Sequence, residues 1–186
     1  VRQASAELKE ALDEAGSLEA LEGAEFWGEF TFSTDPLNSV KRHPVSHVAY
    51  GYATHAVELN DDGTIKRVTA AHDAGTVIDP VSIEGQIEGG VTMSLGYALT
   101  EDFPLDHGVP QRKFGMLGLF RADKTPEIVS IPVGKGDLSG IAYGAKGIGE
   151  ICSIPTAPAV QNAYFNRDGI FRRSLPLEDT PYSRRK

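Results

Sequence analysis

The sequence is poor in cysteine: Cys152 stands alone among 186 residues. One thiol excludes an intrachain disulfide framework, and it excludes any Cys-rich metal or iron–sulfur site built by this chain by itself; it suits a reducing cytoplasm. Long apolar runs are missing too. No stretch of about 18 or more hydrophobic residues occurs, nor a charged-then-apolar leader, so neither a membrane span nor a signal peptide is expected. Positive charge is in deficit, with 18 Lys and Arg against 26 Asp and Glu and a formal net charge of -8. A nucleic-acid partner needs a basic face to displace counterions, so that class is set aside. The basic residues near the end, Arg172, Arg173, Arg184, Arg185 and Lys186, read as a solvated tail.

What is present is a globular composition, 40% hydrophobic with 20 Gly and 11 Pro, too apolar for a disordered chain. The length suits one domain with a real core, or two small lobes sharing one. The chain opens on Val1, straight into a helical pattern, as an excised or processed segment would.

Ala4, Leu8, Ala11, Leu12 and Ala15 recur at helical spacing before Gly16, a natural cap. Residues 25–32 are aromatic-rich, and Val48 to Leu59 reads as a strand. The cluster Asn60-Asp61-Asp62-Gly63 marks a tight turn into a second strand from Ile65 to Ala71, so the two form a hairpin. Asp79-Pro80 has the grammar of a helix start, an acceptor side chain followed by proline. Ile83, Ile87, Val91 and Leu95 continue it for about five turns. Gly85, Gly89, Gly90 and Gly96 lie inside that helix, which implies that something approaches its backbone. Residues 101–125 read as a surface excursion and Ile128 to Val133 as a short strand. A glycine-rich stretch from Gly134 to Gly149 then leads to a helix running to about Phe165, with Glu150 expected at its start. Strands mixed with helices in this way give an α+β arrangement.

Gly144-Ala145-Lys146-Gly147-Ile148-Gly149-Glu150 is the most informative segment, because glycines let the backbone approach a ligand. A helix start favours an ionised carboxylate, which suits Glu150 either as a general base or as a plain first-turn residue. The spacing matches neither the Walker phosphate loop nor a dinucleotide fingerprint. His43 and His47 are separated by Pro44, which argues against a zinc pair on one helical face. His72 reads as a packing histidine and Cys152 as a small core residue.

Two separated motifs carry a family resemblance. Ala71-His72-Asp73-Ala74-Gly75-Thr76-Val77-Ile78-Asp79-Pro80, continued by Glu84-Gly85-Gln86-Ile87-Glu88-Gly89-Gly90 and Gly96-Tyr97-Ala98-Leu99-Thr100-Glu101, resembles the molybdopterin-binding region of the xanthine dehydrogenase and aldehyde oxidase family. Lys146-Gly147-Ile148-Gly149-Glu150 is similar to that family's active-site motif, and the likeness runs from about Val48 to Pro181. It implies a mixed sheet with packed helices, part of a molybdenum-cofactor domain, with residues 1–186 forming the C-terminal fragment of that domain. Glu150 would be the general base in a hydroxylation that takes its oxygen from water, and Gln86, Gly147, Ile148 and Gly149 would face the molybdenum–molybdopterin cofactor, with no metal ligand on this chain. The implied partners are the N-terminal remainder of the subunit, an iron–sulfur (2Fe–2S) part and an FAD part on other portions of the complex, and a small-molecule substrate. The tail Ser174-Leu175-Pro176-Leu177 with Thr180-Pro181-Tyr182 resembles a bacterial xanthine dehydrogenase-like branch, which makes a purine, xanthine above all, the expected substrate. An aldehyde oxidoreductase is the enzymatic alternative, and a non-catalytic cofactor-assembly or subunit-stabilising module the other. The chain departs from the family after Glu150, where Ile151-Cys152-Ser153 replaces the Pro or Ser of many members. Family subunits are also several times longer, so the fragment by itself is expected to be inactive.

Overall fold

The computed structural model describes residues 1–134 and 141–183. Gly136 and Gly140 of the glycine-rich stretch, and the basic Arg184, Arg185 and Lys186, lie outside the described residues. The chain divides into two units, Val1–Val48 and Ala49–Lys186.

In the first unit, α1 (Arg2–Ala15) ends at Gly16, whose φ of +77° lets its N–H reach back to the Leu12 carbonyl at 2.9 Å. Residues 25–32 take no regular structure, and Trp27 and Phe30 stand exposed. Gly28 passes so close to α1 that a Cβ there would sit 2.8 Å from the Cβ of Gln3.

The second unit is built on a three-stranded sheet. β1 (Ala53–Leu59) and β2 (Ile65–Asp73) pair antiparallel, and β2, at the centre, pairs parallel with β5 (Glu127–Val133) in the register Val68↔Ile128 and Ala70↔Ser130. The expected hairpin turn holds: Gly63 (φ +86°) donates to the Asn60 carbonyl, and the Asp62 carboxylate accepts from Thr64 N–H at 2.9 Å. β1 begins later than Val48, because Tyr50 gives its carbonyl to Lys146 Nζ rather than to a ladder. α2 (Pro80–Leu99) lies in the crossover from β2 to β5. Asp79 caps it, accepting from Val81 and Ser82 N–H at 3.1 and 3.4 Å, as the Asp-Pro pair predicted. The excursion after α2 holds only a minimal hairpin, β3 (Leu105–Asp106) with β4 (Val109–Pro110), and short 3₁₀ turns. α3 (Thr156–Asp168) follows and ends at Gly169. This is the α+β arrangement that the pattern implied, and the mixed sheet with packed helices that the resemblance implied.

Val68, Ala70 and His72 of β2 point to one face of the sheet, as period-2 alternation requires. Val68 and Ala70 meet Ile87, Val91 and Leu95 of α2 and Val160 and Tyr164 of α3 in one core with Cys152 and Leu177. Burying a Leu or Val side chain of this kind contributes roughly 1.5–3 kcal/mol. The chain end is tied onto that core: Leu177 N–H donates to the Ala98 carbonyl, and Tyr182 Oη accepts from Ile65 N–H. The Arg172 guanidinium lies 5.1 Å from the Tyr164 ring centroid and donates to the Asp168 carboxylate and the Glu178 carbonyl.

Two expectations need correction. The glycines of α2 are not equivalent. A Cβ at Gly90 would lie 2.6 Å from Cys152 Cβ and 2.9 Å from its carbonyl carbon, and at Gly96 it would meet Glu101 and Phe120, whereas Gly85 and Gly89 face open space. Only Gly90 and Gly96 mark a close approach. Nor does Glu150 start α3: residues 149–155 form turns, and the helix begins at Thr156. Pro155 is the reason, since proline fixes a helix-compatible φ while disfavouring the helical region for the residue before it. The field of that helix end, which falls off within the first turn, therefore does not act on Glu150.

His72 is buried in the core, as its sequence context implies, but has a partner the sequence did not disclose. His55 of β1 places Nε2 2.8 Å from His72 Nε2 and Nδ1 2.9 Å from Thr156 Oγ1, joining the sheet to the first residue of α3. Burial, then the neighbouring His72, pull the His55 imidazole down to about 4, and burial lowers His72 as well. An imidazole depressed in the folded state contributes stability above its unfolded value near 6.5, lost as pH falls toward 4. The urea midpoint of the chain should fall across that window, His55 accounting for up to about 3 kcal/mol of stability. A His55→Gln chain should show a flatter profile between pH 7 and 4.5, and an unchanged slope would refute the assignment.

Among the described residues, no helix is long and apolar enough to cross a membrane.

Candidate functional site

The two sequence motifs, far apart in the chain, cross each other at one place. Gly75, after β2, forms an antiparallel bridge with Ala145. Thr76 N–H donates to the Gly144 carbonyl at 2.8 Å, Lys146 N–H to the Ala74 carbonyl at 3.0 Å, and Thr76 Oγ1 to the Tyr143 carbonyl at 2.8 Å. The crossing needs glycine at both central positions, Gly75 at φ +60° and Gly144 at φ +81°. Lys146 then closes the pair of motifs with an ion pair: Nζ lies 2.7 Å from Asp73 Oδ2 and 2.9 Å from the Tyr50 carbonyl. Its hydrogen bond holds the Asp73 carboxyl below the usual carboxylate range.

Beside the crossing is a cavity of about 250 Å³, lined by Thr76 and Ile78 of the first loop, by Ser82, Ile83 and Gln86 of α2, and by Lys146 and Ile148 of the second loop, among others. Gln86 is exposed on α2 and donates from Nε2 to the Gly149 carbonyl at 2.7 Å. Gln86, Ile148 and Gly149, singled out from the sequence, are thus brought to one place, with Gln86 and Ile148 both on the cavity wall. Gly147 and Gly149 are exposed, with open space beside their α-carbons, so a planar ligand has access to the backbone there. Glu150, also exposed, ends this loop in the turn ahead of α3 and is not part of the cavity wall. Beneath the loop, Cys152 is buried and its Sγ lies 3.0 Å from the Ile148 carbonyl; burial pushes the thiol up, so it serves as a small packed group. Asp79 spends its carboxylate on the helix cap and on Ser82 Oγ at 2.6 Å, and that bond keeps it low.

The roles of Lys146, Asp73 and Thr76 are not legible in the sequence, although all stand inside the two motifs. The signal available is a single lysine in one glycine loop and an aspartate just ahead of the glycine in the other, charges of opposite sign in two separated motifs. Among the described residues, no group of three or more His, Cys, Asp or Glu is arranged to hold a metal ion.

The family model for the molybdopterin cofactor-binding domain matches residues 1–126, about two thirds of the chain. The chain belongs to this family. The match begins well before Val48, taking in α1, and stops short of the Lys146-to-Glu150 loop. Among curated relatives, a Bacillus subtilis protein named as a probable xanthine dehydrogenase subunit is 32% identical over 156 residues, 80% of this chain and 20% of that protein. Isoquinoline 1-oxidoreductase subunit beta of Brevundimonas diminuta is 29% identical over 134 residues, 71% of this chain and 16% of its own length. Of solved structures, the aldehyde oxidoreductase of Desulfovibrio gigas superposes with a TM-score of 0.58 at 26% identity, covering 70% of this chain and 15% of that one. The chain therefore spans about a fifth or less of the length of these family members.

The residues at the crossing fit a pterin cofactor. The cavity can take a ring system, Gln86 offers an amide on its wall, and the glycine backbone beside it is open.

Proposed function

We propose that residues 1–186 are the C-terminal part of the molybdenum-cofactor subunit of a hydroxylase that oxidises an N-heterocycle, xanthine first, with oxygen from water. The observation that carries the reading is the 2.7 Å bond from Gln86 to Gly149, which joins the cofactor-facing helix to the loop ending in Glu150 beside a cavity. When bound, the molybdenum cofactor supplies a Lewis-acidic centre able to accept two electrons. This chain's contribution is to hold and orient. Gln86 and Ile148 would form a wall for the pterin, and Gly147 and Gly149 would leave their backbone open to it. Glu150, at the end of that loop, exposed and free of any ion pair among the described residues, takes the proton as general base.

A fragment's place inside a larger subunit is supported by what it leaves uncovered. Ile78 just before α2, which lines the cavity, Val81, Met93 and Tyr97 along α2, and Ile154 before α3 are exposed apolar side chains. We assign their covering to the remainder of the subunit, with iron–sulfur and FAD parts completing a cytoplasmic complex. The fragment alone is then inactive.

The N-heterocycle reading draws on the Bacillus and Brevundimonas relatives, whose names carry xanthine and isoquinoline. Its test is turnover of xanthine by the purified parent enzyme in water enriched in oxygen-18. The product should carry the heavy oxygen. Unlabelled product, its oxygen taken from a source other than water, would sink the mechanism, and oxidation of aldehydes with no action on xanthine would move the substrate to the class named for the Desulfovibrio structure.

A further inference from the structure

The loop that delivers Glu150 has little of its own to hold it still. Gly147 and Gly149 flank Ile148 and have no side chains to pack, and both face open space. Glycine gives up the most conformational freedom on ordering, so the loop's shape depends on what binds its backbone. Successive links do so. Lys146 is fixed at both ends, by its N–H to Ala74 and by its Nζ to Asp73 and Tyr50. The Ile148 carbonyl lies 3.0 Å from the Cys152 thiol, in the space that Gly90 leaves on α2. The Gly149 carbonyl, on the peptide immediately before Glu150, is bound by Gln86 Nε2.

That last bond is the one that can aim the carboxylate. A peptide is planar, so fixing the carbonyl of residue 149 fixes the direction in which the next α-carbon leaves it. Gln86 sits on the regular helix α2. With Nε2 committed to Gly149, Oε1 is the end of the amide left for a ligand in the cavity.

We propose that Gln86 is a positioning residue for Glu150, holding the Gly149 peptide so that the carboxylate meets its substrate, in addition to forming the wall of the cofactor cavity. The inference rests on the reading of Glu150 as the base. The bond is exposed, so losing it should leave the fold intact.

The experiment is a double-mutant cycle in the complete parent enzyme, combining Gln86→Met with Glu150→Gln, with molybdenum and pterin content measured on each purified protein. Methionine keeps the length and removes the donor. Gln86→Met should retain molybdenum within about twofold while kcat falls on the order of 10–100-fold, with KM little changed, as a displaced catalytic group predicts. In the Glu150→Gln background the same change should cost less than about twofold more, because no base remains to be aimed. Gln86→Glu gives a second readout: a carboxyl donates only when protonated, so its deficit against the unmutated enzyme should narrow as pH falls. A full additive loss in the Glu150→Gln background overturns positioning, and so does a loss of activity that only follows loss of molybdenum. Full turnover by the single variant Glu150→Gln would instead overturn the base assignment, and this inference with it.

Discussion

Replacing Glu150 by glutamine in the complete parent enzyme should reduce turnover by about 10²–10⁴-fold, the range a general base contributes, with molybdenum content unchanged. Glutamine has the same shape and cannot accept the proton, so the variant separates chemistry from architecture. The structure makes this clean. Glu150 is exposed, and neither the core nor the cavity wall includes it. The conformation of its loop is held from the other side, by Gln86 on Gly149 and by Cys152 on Ile148. Nothing the variant removes is needed for folding, so lost turnover at matched molybdenum reports on the base alone. Retained turnover would mean that Glu150 merely ends a glycine loop, and the hydroxylase mechanism would need another base.

What could be read from the sequence was the local chemistry. Gly16 as a helix cap, Asn60 to Gly63 as a hairpin turn and Asp79-Pro80 as a helix start are each decided within a few residues, by a positive φ or a side-chain acceptor. What could not be read was contact between distant segments. Gly85, Gly89 and Gly90 look alike in a string, yet only Gly90 faces Cys152, because only its side of α2 turns toward the segment after Glu150. The His55–His72 pair depends on the register of β1 against β2, and its link to Thr156 on α3 packing against β1. The start of α3 departs from the sequence pattern for a different reason. The glycine run suggests that order resumes at Glu150, but Pro155 sets the first helical turn, and the residues between close turns of their own, such as Ser153 N–H to the Glu150 carbonyl. The candidate site was legible as two motifs, and their meeting through Asp73, Lys146, Gln86 and Gly149 was not.

That meeting should fail if Gly75 acquires a methyl group. At φ +60° an alanine is already strained by roughly 1–2 kcal/mol, and its Cβ would sit 2.1 Å from the Gly144 carbonyl oxygen and 3.0 Å from Lys146 Cγ. The first neighbour is backbone, so it cannot rotate aside as a side-chain tip can. Relief requires the two loops to part, which gives up the bonds from Thr76 to Gly144 and from Lys146 to Ala74, at about 1 kcal/mol each. Gly75→Ala should therefore destabilise the chain by about 3 kcal/mol or more, seen as a lower urea midpoint. It should also lower the molybdenum content of the parent enzyme, since Lys146 and Ile148 form one wall of the cavity and Thr76 the other. Gly85→Ala is the matched control. The same methyl enters open space on a helix, where alanine is favoured over glycine by about 1 kcal/mol, so stability should hold or rise. If Gly75→Ala left both midpoint and molybdenum untouched, the crossing would be an accident of packing. If it lowered the midpoint but not the molybdenum, the cofactor would be held from elsewhere in the subunit, and the wall formed by this chain would serve Glu150 alone.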